Sequence, residues 1–155
     1  MGSKYKMKNI NLSNLESSSE QEVFNFIVSH LMHQKCKSIN VKRKLERGPY
    51  DGQFCSYRYV DAMGKILMCA AGCLISEEEY SETFEDETWS SLADRGLVPK
   101  HHLNLIFRLQ LVHDNSSVIN WPDRLRTIAE EFDLSPILIP TNESWIEILK
   151  VDSSK

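Results

Sequence analysis

Phe54-Cys-Ser-Tyr-Arg-Tyr-Val60, Asp61-Ala-Met-Gly64 and Lys65-Ile-Leu-Met-Cys-Ala-Ala-Gly-Cys-Leu-Ile75 form the stretch on which the fold turns. The first part is aromatic and β-branched, the composition of a strand. Asp61 to Gly64 is a loop of hairpin length ending in glycine. The run from Lys65 to Ile75 is almost continuously apolar, and periodicity alone does not separate a strand from a buried helix there. The hairpin before it favours a strand for at least the first half. Upstream, Ile39, Val41, Arg43 and Leu45 alternate with Asn40, Lys42 and Lys44, the period of a half-buried strand. Gly48-Pro-Tyr-Asp-Gly52 then stops it as a turn. Residues from about 38 to 75 therefore read as a small antiparallel β-meander.

Outside this stretch the apolar period is helical. Ser17-Ser-Ser19 followed by Glu20 and Glu22 offers hydroxyl caps and first-turn acids. Phe24, Ile27, Val28 and Leu31 then form one stripe, predicting a helix from about 19 to 35 with His30 on the stripe's flank and His33 opposite it. Ser76-Glu-Glu-Glu79 has the form of another helix start, and Glu87 to Arg95 of a further turn or two closed by Gly96 and Pro99. Residues 100–113 make the most apolar helix, with Leu103, Leu105, Ile106, Leu109, Leu111 and Val112, and should be central. Asn120-Trp-Pro-Asp123 predicts an Asn-capped helix with a first-turn proline and a core stripe of Trp121, Leu125, Ile128, Ala129 and Phe132. Trp145 to Val151 fits a terminal strand or a short helix. One N-terminal helix, a meander and then three or four packed helices make an α+β chain, not a doubly wound sheet. The expected organisation is a flexible segment over 1–16 and a single globular domain over 17–155.

The chain has 155 residues, the length of one domain with a real core. Hydrophobic residues at 41% and charged residues at 26% exclude a disordered chain. A net charge of -4 argues against general DNA binding or attachment to an anionic membrane, though a local basic patch keeps a nucleic-acid role open. No apolar run approaches the length of a membrane span. Met1 to Met7 lacks the apolar core of a signal peptide, and Lys6 breaks the myristoylation pattern. Without such signals, Cys36, Cys55, Cys69 and Cys73 read as reduced thiols, and the expected setting is cytoplasmic.

Three short motifs, Cys55-Ser-Tyr-Arg58, Cys69-Ala-Ala-Gly-Cys-Leu-Ile75 and Leu109-Gln-Leu-Val-His-Asp114, carry a resemblance. Over roughly residues 20–133 the chain resembles a group of short proteins of unassigned function encoded by tailed bacteriophages and some bacteria. The resemblance implies an origin in a phage or mobile element and a soluble intracellular setting. It implies no activity, cofactor or catalytic residue.

The cysteines are the sharpest chemical feature. Three thiolates with a histidine can hold zinc, but only Cys69 and Cys73 approach the usual ligand spacing, so no metal site is expected. In a regular hairpin Cys55 would also face away from Cys69. Packing among Ala70, Ala71 and Gly72 is the plainer role for these cysteines. The catalytic alternative is a hydrolase or transferase using Cys69 or Cys73 as nucleophile and His113 as base. Asp114 is a poor orienter for that base, because adjacent helical residues point about 100° apart. Alternatively His113 sits near the carbonyls of the last helical turn. Gln110 and His113 share a face of an otherwise apolar helix and need partners if buried. Arg58, Tyr57 and Tyr59 are the expected ones, as a structural clasp or as the floor of a ligand pocket.

Charge is uneven. Lys35, Lys37, Lys42, Arg43, Lys44 and Arg47 crowd one segment, and Glu77, Glu78, Glu79, Glu82, Glu85, Asp86 and Glu87 another. These are candidate surfaces for nucleic-acid phosphates or for a protein, or simply two solvated faces. The leading expectation is a small accessory or interaction protein with no cofactor and an unidentified protein partner. The candidate binding residues are Arg58, Gln110, Lys42, Arg43, Lys44 and Arg47.

Overall fold

The computed structural model describes residues 7–40 and 55–153. The first helix, α1 (Glu20–Gln34), begins as its sequence dictates. Ser19 accepts the Glu22 N–H, and the Glu22 carboxylate accepts the Ser19 N–H at 2.9 Å, a closed capping box. Lys35, with φ 62°, ends it. Phe24, Ile27, Val28 and Leu31 are fully buried, so the predicted stripe is the core face.

The sheet is smaller than the meander expected. Strands β1 (Tyr59–Val60) and β2 (Ile66–Leu67) pair antiparallel, with Tyr59 opposite Leu67 and Val60 opposite Ile66. An isolated bridge joins Ile39 to Cys55. The predicted strand from Val41 onward and the turn at 48–52 lie outside the described residues. Beyond Leu67 the ladder is replaced by a side chain. The Gln34 amide accepts the Met68 N–H at 2.9 Å and donates to the Met68 carbonyl at 2.9 Å. The chain then coils tightly through 69–75, with a 3₁₀ turn at Gly72–Leu74. The apolar run is thus neither a long strand nor an α-helix. Its small residues let the coil lie against the backbone of Tyr57, where an added Cβ at Gly72 would sit 2.0 Å from the carbonyl oxygen.

Ser76 and Glu79 form the reciprocal cap read from the sequence, yet a turn follows in place of a helix. The Glu79 carboxylate is also committed elsewhere, accepting the Leu12 N–H at 3.0 Å and the Ser13 N–H at 3.2 Å. Burial pushes this carboxyl up, but the surrounding N–H donors outweigh it and hold it below its ordinary value. Of the segment expected to be flexible over 1–16, residues 1–6 lie outside the described residues, and in the described remainder Ile10 and Leu15 are core residues.

Four more helices complete the fold among the described residues. They are α2 (Trp89–Asp94), α3 (Leu103–Asn115), α4 (Trp121–Glu131) and α5 (Asn142–Ser153). Helix α3 packs against α1, α2 and α4, and Leu105, Ile106 and Leu109 are fully buried, as its apolarity required. Asn120 stands at the N-cap of α4 without making a capping bond, because a 3₁₀ turn at Val118–Asn120 leads directly into the helix. The terminal segment is helical, and Trp145 is buried with its indole N–H on the Val118 carbonyl at 2.8 Å. The result is a mostly helical α+β fold. No helix among the described residues is long and apolar enough to cross a membrane.

His30 gives this packing a pH dependence. Its Nε2 donates to the Met68 carbonyl at 2.8 Å. Burial holds its pKa below the ordinary value, and the Met68 carbonyl opposes that. The folded protein therefore binds fewer protons here than the unfolded chain. Stability is full above the unfolded pKa of about 6.5 and falls as the pH drops below it. Melting temperatures measured between pH 7 and 5 should decline, and His30→Gln should flatten that decline. Glu22 and Glu79, whose pKa values are also lowered, act in a more acidic window.

Candidate functional site

The C-terminal turn of α3 carries Gln110, His113 and Asp114, and the rest of the fold supplies their partners. The His113 ring has no exposure and stacks on Trp121, with centroids 5.9 Å apart and 28° between planes. Its Nε2 lies 2.9 Å from the backbone nitrogen of Ser38. A backbone N–H only donates, so Nε2 accepts and the ring proton sits on Nδ1, which donates to Asp114 Oδ1 at 2.7 Å. Gln110 Nε2 reaches the same oxygen at 2.7 Å, and Gln110 Oε1 accepts the Ala71 N–H at 2.8 Å. One polar group thereby ties α3 to the chain at Ser38 and to the coil at 69–75.

Three expectations about this cluster are corrected. Asp114 does orient His113, because Nδ1 is the ring nitrogen nearest the backbone and Gln110, one turn earlier, donates to the same carboxylate oxygen. Nor does His113 serve the last-turn carbonyls, since its ring faces inward to Ser38. The partner of the clasp is Ser38, not Arg58. The Arg58 guanidinium lies over the Tyr80 ring at 5.6 Å, and its backbone N–H, like that of Tyr57, donates to the Glu85 carboxylate.

The thiols are gathered differently from the hairpin expectation. The ladder ends early, so Cys55 and Cys69 line one cavity and do not face apart. Burial, and then the Asp114 carboxylate to which it is hydrogen-bonded, push the Cys55 thiol far up. Burial and Asp114 raise Cys69 as well, whose sulfur accepts the Gly72 N–H at 3.3 Å. Cys73 is raised by burial and donates to the Ala70 carbonyl at 3.1 Å. Burial also raises Cys36.

Cys55, His113 and Asp114 bring one donor atom each to within 4.8 Å of one another, a grouping of metal-ligand types that the sequence did not suggest. The proton assignment opposes a metal there. An ion on Nδ1 would displace the ring proton to Nε2, where it would confront the Ser38 N–H.

The cavity has a volume of about 390 Å³ and opens between the start of α2 and α3. Tyr57, Trp89 and Phe107 are its aromatic lining residues, and Asp86, Glu87 and Asp114 its acidic ones. Gln110 also lines it, so the clasp and the floor of a pocket are one structure. The Tyr57 hydroxyl donates to the Glu87 carbonyl, and the Glu87 carboxylate takes Ser91 and Arg95. Sequence reasoning missed Ser38, Trp89 and Phe107. Ser38 lies 75 residues from His113 and acts through its backbone, so its residue type carries no signal.

The charged segments are partly consumed within the fold. Lys35 pairs with Asp152 at 3.1 Å, and Lys37 donates to the Asp114 carbonyl at 3.2 Å. Lys42, Arg43, Lys44 and Arg47 lie outside the described residues. In the acidic run Glu79, Glu85 and Glu87 serve as internal acceptors, while Glu77, Glu78 and Glu82 are exposed. Compared with models of protein families, with curated proteins and with solved structures, the chain finds no match.

Proposed function

We propose that the protein is a non-catalytic interaction module, an accessory protein of phage or mobile-element type, and that the cavity beside α3 receives its partner. The observation that carries this reading is the commitment of His113. Both ring nitrogens are bound, one to Ser38 and one to Asp114, which leaves no lone pair to take a proton from Cys69 or Cys73. The environment of the thiols points the same way, since a nucleophilic cysteine needs a neighbour that lowers its pKa and each one here is raised. The resemblance to short phage and bacterial proteins is what suggests the phage or mobile-element origin.

Alkylation with iodoacetamide at neutral pH tests this reading. All four thiols should react more slowly in the folded protein than in urea. A single cysteine reacting faster in the folded state, above all Cys69 beside the cavity, would overturn the proposal in favour of a cysteine-dependent enzyme. A parallel melting experiment addresses the metal grouping. Neither chelator nor added Zn²⁺ should shift the transition, whereas a rise of several degrees with Zn²⁺ would place an ion among Cys55, His113 and Asp114.

A further inference from the structure

We infer that the cavity holds an arginine side chain of a partner polypeptide. The inference rests on the interaction reading above. The lining residues include the acidic Asp86, Glu87 and Asp114 and no lysine or arginine. Arg95 pairs with Glu87, and Lys37 reaches the Asp114 carbonyl at 3.2 Å, both from outside the lining, whereas the donors on the Asp114 carboxylate from Gln110, His113 and Cys55 are neutral. A concave site of one sign, with low-dielectric walls, concentrates its field on a ligand of the other sign.

The walls select the kind of cation. Tyr57 and Trp89 meet with ring centroids 6.3 Å apart and a 59° tilt, and Phe107 on α3 is 54% exposed despite belonging to the central helix. Aromatic faces beside carboxylates favour a guanidinium, which stacks flat and offers a planar fork of donors, over a compact ammonium. The fold already uses this chemistry once, where Arg58 lies over Tyr80 and Tyr80 is hydrogen-bonded to Glu85. A polar gap adds to the case. Trp89 is 5% exposed, and its indole N–H is buried with no partner among the described residues. A peptide bearing the arginine also brings carbonyl oxygens, the acceptor that a small shift of Trp89 would reach. At about 390 Å³ the cavity is near the small end of ligand clefts, suited to one long side chain with a little of its backbone.

Isothermal titration with three probes tests the inference: acetyl-Gly-Arg-Gly-amide, the same peptide with neutral citrulline for arginine, and agmatine as a free guanidine. The arginine peptide should bind about tenfold or more tightly than the citrulline peptide and more tightly than agmatine. Phe107→Ala, an exposed change that leaves the circular dichroism intact, should weaken the arginine peptide about tenfold. Asp86→Asn keeps a residue tolerant of the φ of 73° there and should weaken binding with less dependence on salt. Equal affinity for arginine and citrulline, or no heat from either, overturns the inference. Agmatine binding as tightly as the peptide overturns the polypeptide source. Failure of the peptide with inert thiols removes the arginine alone, whereas a rapidly alkylated cysteine removes the interaction reading itself.

Discussion

His113→Ala is expected to destabilise the protein by about 3–5 kcal/mol. Truncating a fully buried ring leaves a cavity against Trp121, comparable to the loss of a core aromatic. It also strands the Ser38 N–H inside the protein, and a buried donor without a partner costs about 1–3 kcal/mol. Asp114 loses one donor but keeps Gln110. His113→Gln, which restores an acceptor at similar reach, should recover part of the loss. Urea denaturation followed by circular dichroism measures both. A change below about 1 kcal/mol is the size expected of a side chain that merely complements a helix end. That result would mean the clasp does not exist in solution.

Gly72→Ala should cost about 3 kcal/mol or more, at the upper end of overpacking effects. The obstacle is backbone on both sides. A Cβ at Gly72 would approach the Tyr57 carbonyl oxygen to 2.0 Å, its carbon to 2.7 Å and its Cα to 2.9 Å. No side-chain rotation relieves such a contact, so the coil at 69–75 must lift from the strand region. Ala71 would then move from Gln110, and Tyr57 from its place in the cavity wall. Gly64→Ala is the comparison: φ there is 82° but no atom of the described residues lies within 4 Å of the added carbon, so only the backbone penalty of about 1–2 kcal/mol is expected. Thermal melts of the two variants should therefore differ clearly. Equal losses would show that the coil is not seated on Tyr57.

These two effects divide what was legible in the sequence from what was not. Apart from the Asn120 cap, which an adjoining 3₁₀ turn displaced, local signals read correctly where the causes were local. Ser19 and Glu22 lie within one turn, and the stripe Phe24, Ile27, Val28 and Leu31 follows from helical period alone. The apolarity of 103–112 placed α3 at the centre for the same reason, and the segregation of strands from helices defined the α+β class. The misreadings occurred where a distant group competed with a local preference. Ser76-Glu-Glu-Glu79 caps a turn without a helix, with Glu79 also bound to Leu12 and Ser13. The run at 65–75 leaves the sheet where the Gln34 amide takes over at Met68.

The sequence by itself determined helices α1 to α4, the core faces of α1, α3 and α4, the central place of residues 103–112 and the small antiparallel element, but not whether the terminal segment is strand or helix. Tertiary structure alone decided the site. Gln110 and His113 were legible as polar groups needing partners, but their partners are the backbone N–H groups of Ala71 and Ser38. Every residue except proline carries that donor, so no side-chain pattern marks which one will serve. The aromatic walls are equally silent in sequence: Tyr57, Trp89 and Phe107 come from three separate stretches, and only the packing of the coil and α2 against α3 brings them around one cavity.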